Sequence, residues 1–328
     1  MNYTEAKAAF EQLFEHKMDD AQMREFLISM KLDESTPVEA IAAAASVMRS
    51  HAIALPIEEE LRPRLLDVVG TGGDKIGSFN ISSTVSLLCA SAGAYVAKHG
   101  SRSVTSKSGS ADMFESLGVR LDLDINQSAK LLEETGFTFM FAQNHHPAMK
   151  FIMPVRKSIS EKTIFNVLGP LTNPAGVQKT MLGVFDKSFV PKIAEALKIN
   201  EAKSALVVSS REHMDEVSIS DITYAARLDE NGIKEFEIDP LEYGIKRAPL
   251  EAIIGGDAQF NAQILHDIFN DTAQEAQRDI VLMNAACALM VEGMARDIQD
   301  GLEIATEAIK SKRAKAKLEE IIKVSSQL

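Results

Sequence analysis

The chain has 328 residues, of which 45% are hydrophobic and 25% are charged, so we expect one large or two moderate globular domains. Its formal net charge of −12 argues against a broad nucleic-acid-binding surface, because binding to a phosphate backbone requires a positive surface. No apolar segment approaches the roughly 20 residues that span a bilayer, so membrane association is not expected.

The first part of the chain, residues 1–64, predicts a small helical domain. Apolar residues recur at helical spacing between Ala6 and Phe14 and again between Met23 and Met30. The sequence from Thr36 to Glu39 is typical of a capping box with proline at the first helical position, and it opens an alanine-rich helix that reaches about Met48. The N-terminus also lacks the basic and hydrophobic parts of a signal peptide, which predicts a cytoplasmic protein.

Residues 65–328 predict a larger α/β domain, in which strands and helices alternate. Such alternation is typical of a mostly parallel central sheet covered by helices on both faces. The predicted strands are Leu65 to Val69, the region of Tyr95, Phe137 to Phe141, Met181 to Phe185 and Ala205 to Val208. A hairpin is predicted around Asn231-Gly232, and two long helices are predicted over 276–298 and 302–324. We expect a segment near 146–172 to join the two domains.

The chain contains two cysteines, Cys89 and Cys287, and each lies in an apolar stretch with helical character. They are more simply explained as buried thiols than as a disulfide or a metal-binding pair. This interpretation agrees with a reducing compartment.

A glycine-rich loop, Gly70 to Asp74, directly follows the first predicted strand. Because residues without a Cβ let an anion approach the backbone amides, the loop is typical of a phosphate-binding turn. Its spacing matches neither the Walker A pattern nor the Gly-x-Gly-x-x-Gly pattern of dinucleotide-binding proteins. A tight structural turn is the alternative interpretation.

A second polar loop, Lys98 to Asp112, follows the next predicted strand and carries three cations, several hydroxyl groups and two glycines. Ligands of open α/β sheets bind at the carboxyl ends of the strands, where these two loops can face each other. Amides, hydroxyl groups and ammonium groups together suit a ligand with several phosphates. A solvated basic loop is the alternative.

Four more residues are candidates for a functional site, although each has an ordinary structural explanation. Asp215 and Glu216 follow a predicted strand, and adjacent carboxylates are by themselves usually solvated. His146 and Arg156 lie on a segment with helical character. Without further information, the histidine would be a core residue and the arginine a surface cation.

The order of these motifs resembles the anthranilate phosphoribosyltransferases, which are nucleoside-phosphorylase-like phosphoribosyltransferases. The resemblance covers nearly the whole chain and rests on the following motifs, in this order: Gly70 to Asp74, Asn80 to Ser83, Lys98 to Asp112, His146 to Met149, Phe165 to Pro174, and Asp215 with Glu216. It implies transfer of the phosphoribosyl group of 5-phosphoribosyl 1-pyrophosphate to the amino group of anthranilate. This reaction belongs to tryptophan biosynthesis and releases pyrophosphate.

The resemblance also implies which residues bind the phosphoribosyl donor. It places the pyrophosphate over the glycine loop and assigns phosphate or metal contacts to the residues that follow. The implied donor-binding residues are Gly70, Thr71, Gly72, Gly73, Asp74, Ser78, Asn80, Ser82, Ser83, Lys98 and Ser110. Without the resemblance, Ser82 and Ser83 would equally fit a helix N-cap.

Metal and acceptor sites follow from the same resemblance. It implies Mg²⁺ as the cofactor, and the implied metal-binding residues are Ser82, Asp215 and Glu216. Mg²⁺ commonly combines a few carboxylates with substrate phosphate oxygens. The implied anthranilate-binding residues are Gly70, His99, Ser101, His146 and Arg156.

Ser101 is a departure from the family, whose usual residue after the Lys-His-Gly motif is asparagine. Serine keeps a hydrogen-bonding group but loses the reach and the two N–H donors of the amide. The acceptor site is therefore where this chain differs from the family pattern.

The resemblance implies no single catalytic residue. An uncharged aromatic amine needs little activation, so catalysis acts mainly by stabilising the leaving group.

The resemblance implies a homodimer formed through the N-terminal helices. Phe10, Phe14 and Phe26 suggest the same, since they could exceed what one small helical layer can bury.

Two other functions are alternatives to phosphoribosyl transfer. A pyrimidine nucleoside phosphorylase would use free phosphate and need base-recognising groups that the sequence does not reveal. A non-catalytic nucleic-acid-binding relative would be expected to lose the glycine loop and the acidic pair and to become basic, and this chain does neither.

Overall fold

The computed structural model describes residues 1–103 and 107–328, and its described strands form one seven-stranded sheet. The strands are β1 (Leu65–Gly70), β2 (Tyr95–Gly100), β3 (Phe137–Phe141), β4 (Lys179–Gly183), β5 (Ser204–Ser210), β6 (Thr223–Asp229) and β7 (Gly232–Ile238). Their order across the sheet is β3-β2-β1-β4-β5-β6-β7. The pairs among β1 to β5 are parallel, whereas β6 and β7 are antiparallel. This confirms the predicted mostly parallel sheet.

Helices precede the sheet, connect its strands and close the chain. The described α-helices are α1 (Tyr3–Phe14), α2 (Asp20–Ser29), α3 (Val38–Ser50), α4 (Ile81–Ala92), α5 (Ser110–Ser116), α6 (Ile125–Thr135), α7 (Ala142–His145), α8 (Met149–Lys157), α9 (Phe165–Leu168), α10 (Val190–Ile199), α11 (Ala258–Phe269), α12 (Glu275–Glu292), α13 (Ile298–Lys310) and α14 (Arg313–Gln327). Among the described residues, no helix combines the length and apolar character needed to cross a membrane.

Side chains alternate along the strands, so both faces of the sheet are buried. On β5, Leu206 and Val208 belong to the core that α4 and α12 share, whereas Ala205 and Val207 belong to the core that α3 and α10 share. The sheet is therefore covered by helices on both faces, as predicted. Cys89 lies buried in α4, and both cysteines are free thiols.

The N-terminal helices pack against the segment that contains α8 and α9. Lys31 pairs with Thr163, and the backbone N–H of Ile164 donates to the carbonyl of Met30 at 2.9 Å. The apolar core of these helices is continuous with the α10 face of the sheet. A division of the chain into domains 1–64 and 65–328 stays a prediction.

Three predicted helix boundaries are wrong. The Thr36 hydroxyl does not cap α3 but bonds Asp33 and Lys31, and Pro37 occupies the N-cap position. The helix predicted over 276–298 ends at Glu292, because Gly293 takes a left-handed conformation. The helix predicted over 302–324 is two helices, α13 and α14, separated where Lys312 adopts a φ of 63°.

The hairpin is confirmed, with Glu230 and Asn231 as its two loop residues between paired Asp229 and Gly232. The parallel arrangement of the other strands places the carboxyl ends of β1, β2, β4 and β5 along one edge of the sheet. The residues at these ends carry the candidate site.

Candidate active site

The site is centred on the point where the segment containing Asp215 lies against the ends of β1 and β4. Gly70 and Gly183 are neighbours in these two strands. A Cβ on Gly183 would lie 1.6 Å from the Asp215 carbonyl oxygen, and one on Gly70 would lie 2.3 Å from Asp215 Oδ2. Glycine at both positions is therefore what lets the acidic segment reach the strand ends.

The glycine loop makes direct contact with this acid. The backbone N–H of Gly72 donates to Asp215 Oδ2 at 2.6 Å, and both Gly72 and Gly73 have positive φ. The Thr71 hydroxyl is buried and has no partner among the described residues. Asp74 accepts from the backbone N–H of Ile76 at 3.1 Å. In this structure, the Asp215 carboxyl group thus accepts a hydrogen bond from one of the amides that were predicted to face a phosphate.

Carboxyl groups are concentrated at this point of the site. Burial raises the pKa of Asp215 to about 7, and the neighbouring Asp74 carboxylate adds to the shift. Burial also raises the pKa of Glu216 well above its ordinary value, with Asp215 as the second cause. Glu216 accepts from the backbone N–H of Ser82 at 3.0 Å, which ties the acidic pair to the start of α4.

Lys98 is the buried cation beside these acids, with only 1% of its surface exposed. Its Nζ donates to the carbonyl of Val68 at 2.5 Å and lies 3.4 Å from Ser82 Oγ. Burial lowers the pKa of Lys98, while Asp67 and Glu216 oppose the shift. The lysine therefore joins strand β1, strand β2 and helix α4 through one ammonium group.

Asp67 was not among the predicted site residues. It is fully buried in β1, where Asn173 Nδ2 donates to its Oδ2 at 2.7 Å. Burial raises the pKa of Asp67 to about 6, against the effect of Lys98. The available signal was the sequence itself, because Asp67 interrupts an otherwise apolar strand.

Ser82 and Ser83 occupy the first turn of α4 but do not cap it. Asn80 takes the N-cap position without a side-chain capping bond, so the N-cap interpretation of the two serines is wrong. The Ser83 hydroxyl is buried without a partner among the described residues. The first turn of a helix can bind an anion through its N–H groups, but here the N–H of Ser82 donates to Glu216, so an anion at this turn would compete with that carboxyl group.

The polar loop after β2 meets Asn80. The Asn80 amide donates to the Ser108 carbonyl at 3.2 Å and accepts from the Ser108 hydroxyl at 3.1 Å. Ser110 is the first residue of α5, and its Cβ lies 3.3 Å from where a Cβ on Gly100 would be. Ser78 pairs with Ile254. Residues 104–106 of the predicted loop lie outside the described part of the chain.

His99 and His146 are brought together, with ring centroids 5.1 Å apart. Both side chains are buried, and the Nε2 atom of each has no partner among the described residues. Burial lowers the pKa of His99 to about 3, with His146 as the second cause. Burial and then His145 lower the pKa of His146 to about 4. Both rings are therefore neutral at physiological pH.

The other two predicted acceptor residues lie on separate elements. Arg156 is in the last turn of α8, with its guanidinium 5.8 Å from the centre of the Phe165 ring. Within the described ranges, no acidic side chain forms an ion pair with it, and burial lowers its pKa. Ser101 is exposed, and its hydroxyl donates to the Arg102 carbonyl at 3.1 Å.

The sequence of this chain is similar to those of known proteins. The family model described as "Glycosyl transferase family, a/b domain" matches residues 62–315. The anthranilate phosphoribosyltransferase of Xanthobacter autotrophicus is 44% identical over 99% of this chain and 92% of its own length. That of Methanobrevibacter smithii is 42% identical over 99% of this chain and 96% of its own length. The chain belongs to the anthranilate phosphoribosyltransferase family.

Solved structures of the anthranilate phosphoribosyltransferase family agree in fold. The enzyme of Thermus thermophilus is matched with a TM-score of 0.92 and 33% identity, over 99% of this chain and 96% of that one. A Saccharomyces cerevisiae member, in complex with 5-phosphoribosyl 1-pyrophosphate and Mg, is matched with a TM-score of 0.89 and 27% identity, over 100% and 94%. The predicted family and fold class are thereby confirmed.

The neutral histidine pair predicts a specific pH dependence of stability. The pKa of His146 is about 4 in the folded chain and about 6.5 in the unfolded chain. As the pH falls below about 6.5, His146 binds a proton in the unfolded chain but stays neutral in the folded chain. The free energy of unfolding therefore decreases. We expect His146 to cost up to about 2 kcal/mol at pH 5 relative to pH 7.

Urea unfolding midpoints at pH 7 and pH 5 measure this effect. The variant His146→Gln should lose less stability on acidification than the original chain. His266→Gln, at a partly exposed histidine of α11, serves as the control for a histidine substitution away from the pair. Equal acid destabilisation of the original chain and His146→Gln would contradict a neutral buried His146.

Proposed function

We propose that the protein is a magnesium-dependent anthranilate phosphoribosyltransferase, which converts anthranilate and 5-phosphoribosyl 1-pyrophosphate into N-(5-phosphoribosyl)anthranilate and pyrophosphate. The observation that carries this proposal is the full-length family match combined with a glycine loop, a buried lysine and an acidic pair at one edge of the sheet. Each of these features suits a ligand with several phosphates and a bound cation.

The donor subsite comprises the glycine loop and the first turns of α4 and α5. Its polar contacts come from uncharged amides and hydroxyl groups, with Lys98 as a compact cation beneath them. The proposed donor-binding residues are Gly70, Thr71, Gly72, Gly73, Asp74, Ser78, Asn80, Ser82, Ser83, Lys98 and Ser110. Bound pyrophosphate would compete with Asp215 for the Gly72 N–H.

The acidic pair fits Mg²⁺ by its donor chemistry. Asp215, Glu216 and the Ser82 hydroxyl are oxygen donors, and burial raises the pKa values of the two acids, so a bound cation would stabilise their ionised forms. Among the described residues, no three acidic, histidine or cysteine side chains form a metal site by themselves. Mg²⁺ at this place would complete its shell with donor phosphate oxygens and water. When bound, it would supply charge neutralisation on the pyrophosphate.

The acceptor subsite comprises Gly70, His99, Ser101, His146 and Arg156. The imidazole rings of His99 and His146 are neutral, so they can contact the aromatic ring of anthranilate and do not protonate its amino nitrogen. Arg156 has no acidic partner within the described ranges, so its planar fork is available to a carboxylate. Anthranilate carries both groups, a carboxylate and an aromatic amine.

The reaction is a substitution at C1 of the ribose. The amine nitrogen forms a bond to C1, the bond from C1 to the pyrophosphate oxygen breaks with its electron pair leaving on pyrophosphate, and the nitrogen releases one proton. As positive charge develops on the ribosyl carbon, the glycine-loop amides that contact the pyrophosphate would stabilise the departing negative charge. Holding the two substrates in separate subsites supplies the remaining rate enhancement.

One coupled assay tests the proposal. The purified chain is incubated with 5-phosphoribosyl 1-pyrophosphate, Mg²⁺ and anthranilate, and the loss of anthranilate fluorescence is followed. We expect loss that requires all three components. Phosphorolysis of pyrimidine nucleosides is assayed in parallel, and activity there without phosphoribosyl transfer would instead support the nucleoside phosphorylase alternative.

Arg156→Ala is expected to act on the acceptor alone. A charge-assisted hydrogen bond contributes about 1.5–3 kcal/mol, so the KM for anthranilate should rise roughly 10- to 150-fold while the KM for the donor stays unchanged. Arg156→Lys should restore only part of the loss, because a point cation cannot form two parallel bonds. Lys157→Ala, which removes an exposed neighbouring cation, is the control. A rise confined to the donor KM would refute the two-subsite division.

Asp215→Asn and Glu216→Gln are expected to weaken binding of Mg²⁺ together with the phosphoribosyl donor. Loss of one carboxylate should shift the Mg²⁺ concentration for half-maximal activity upward by roughly tenfold or more. The matched control is Asp221→Asn, because Asp221 belongs to the same segment but pairs with Arg211 and Arg247. Unchanged Mg²⁺ titrations with full turnover in both variants would remove the acidic pair from the site.

We also propose a homodimer formed through the N-terminal helices. Phe10 and Phe14 are buried within the protomer, so they do not supply the interface as the sequence suggested. Ile28 on α2 and Phe151 on α8 are 39% and 49% exposed, and they offer apolar surface on helices that pack together. Sedimentation should give about twice 35.8 kDa, and Phe151→Asp should reduce it. A 35.8 kDa species at micromolar concentration would refute the dimer.

A further inference from the structure

Asn261 is a buried polar residue of α11 that none of the proposed binding sets includes. Only 2% of its surface is exposed. Its Nδ2 donates to Asn80 Oδ1 at 2.8 Å, and its Oδ1 accepts from the backbone N–H of Gly256 at 2.8 Å. Asn80 and Asn261 are 181 positions apart in the sequence, so this contact joins the donor subsite to a distant helix.

Asn261 and Ser108 together determine which way the Asn80 amide faces, since the Ser108 hydroxyl also donates to Asn80 Oδ1 at 3.1 Å. An amide nitrogen can only donate, so Asn261 Nδ2 requires the oxygen of Asn80 on its side. The Ser108 carbonyl can only accept, so it requires the nitrogen of Asn80 on the other side, at 3.2 Å. With both partners in place, the amide has one orientation, and Asn80 retains one further N–H for a ligand.

The backbone around Asn261 reinforces this arrangement. The N–H of Phe79 donates to the carbonyl of Ile253 at 3.1 Å, and the N–H of Gly255 donates to the carbonyl of Gly77 at 2.8 Å. A Cβ on Gly255 would lie 2.6 Å from the Phe79 Cα, so only glycine permits this approach. The loop that leads into Asn80 is therefore held along its length by the segment before α11.

We propose that Asn261 is a positioning residue for the phosphoribosyl donor, because it fixes the Asn80 amide with an N–H directed to the donor phosphates. The inference rests on the proposed function, in which Asn80 contacts the donor. Asn261 itself is buried behind Asn80 and acts only through it. Without its donor group, only the Ser108 contacts would hold the Asn80 amide, and an oxygen in its place would repel Asn80 Oδ1 and favour the turned amide, which presents an oxygen to the phosphoribosyl donor in place of an N–H.

Asn261→Asp is the test variant, because it is nearly isosteric and replaces the N–H donor by a carboxyl oxygen. Its carboxylate still accepts from Gly256, but it places a second oxygen against Asn80 Oδ1. A neutral hydrogen bond contributes about 1–1.5 kcal/mol, so we expect the Kd and KM for 5-phosphoribosyl 1-pyrophosphate with Mg²⁺ to rise roughly 5- to 10-fold at pH 8. The KM for anthranilate should stay within about twofold, since the acceptor subsite is elsewhere.

Gln263→Glu is the matched control. It adds the same charge to the same helix at an exposed position, where Gln263 bonds only Asp267 among the described residues. Donor affinity should be unchanged in this variant. If Asn261→Asp does not fold, Asn261→Ser, which adds no charge, is measured by the same calorimetric titration with the donor.

A double-mutant cycle separates positioning from a merely structural role. Asn80→Ala should weaken donor binding, and adding Asn261→Asp to it should change the donor Kd by less than about twofold, because the group through which Asn261 acts is gone. The full effect of Asn261→Asp in the Asn80→Ala background would overturn the inference. Unaltered donor binding in Asn261→Asp, with weakened binding in Asn80→Ala, would also overturn it.

The same measurements distinguish failure of the proposed function. If the original chain binds no 5-phosphoribosyl 1-pyrophosphate in calorimetry, or if Asn80→Ala binds it normally, the assignment of the donor subsite is wrong. Failure of the positioning role instead leaves donor binding and the effect of Asn80→Ala intact.

Discussion

The structure depends on how one buried ammonium group is balanced by carboxylates at the ends of the central strands. Burial lowers the pKa of Lys98, and the carboxyl groups of Asp67, Glu216 and Asp215 oppose this shift. The Nζ atom of Lys98 donates a hydrogen bond to the backbone of β1 and lies close to Ser82 of α4. The same ammonium group therefore links the strand to the helix beneath the site. Because burial raises the pKa values of Asp67, Asp215 and Glu216, the ionised forms of these acids are disfavoured, and a divalent cation beside them would favour ionisation.

Much of the architecture was predictable because burial leaves a periodic pattern in the sequence. The alternation of predicted strands and helices indicated a mostly parallel sheet covered on both faces, and Asn231-Gly232 indicated the hairpin. The break at Lys312 was not predictable, because a left-handed lysine gives no local signal comparable to that of Gly293. That break lets α13 pack on α12 while α14 packs on α4, which is a tertiary preference.

The site was predictable only in part. Residues within short sequence motifs were found, whereas residues whose partners lie far away in the sequence were not. The glycine loop, Lys98 and the acidic pair stand out within short motifs. Asn261 carries no such signal, since asparagine is common in turns and its partner Asn80 is 181 positions away. Asp67 was visible only as a polar interruption of β1, and its role depends on neighbours that topology alone brings together.

The absence of a side chain at Gly183 has a mechanical consequence. With the Asp215 carbonyl lying where a Cβ would be, the acidic turn rests directly on the backbone of β4 without any flexible side chain between them. Side-chain rotations cannot absorb relative motion at such a contact, because main-chain atoms meet main-chain atoms. The acids and the sheet are therefore expected to move as one rigid body, so that adjustment to a ligand falls on the glycine loop, whose Gly72 and Gly73 have open space around them.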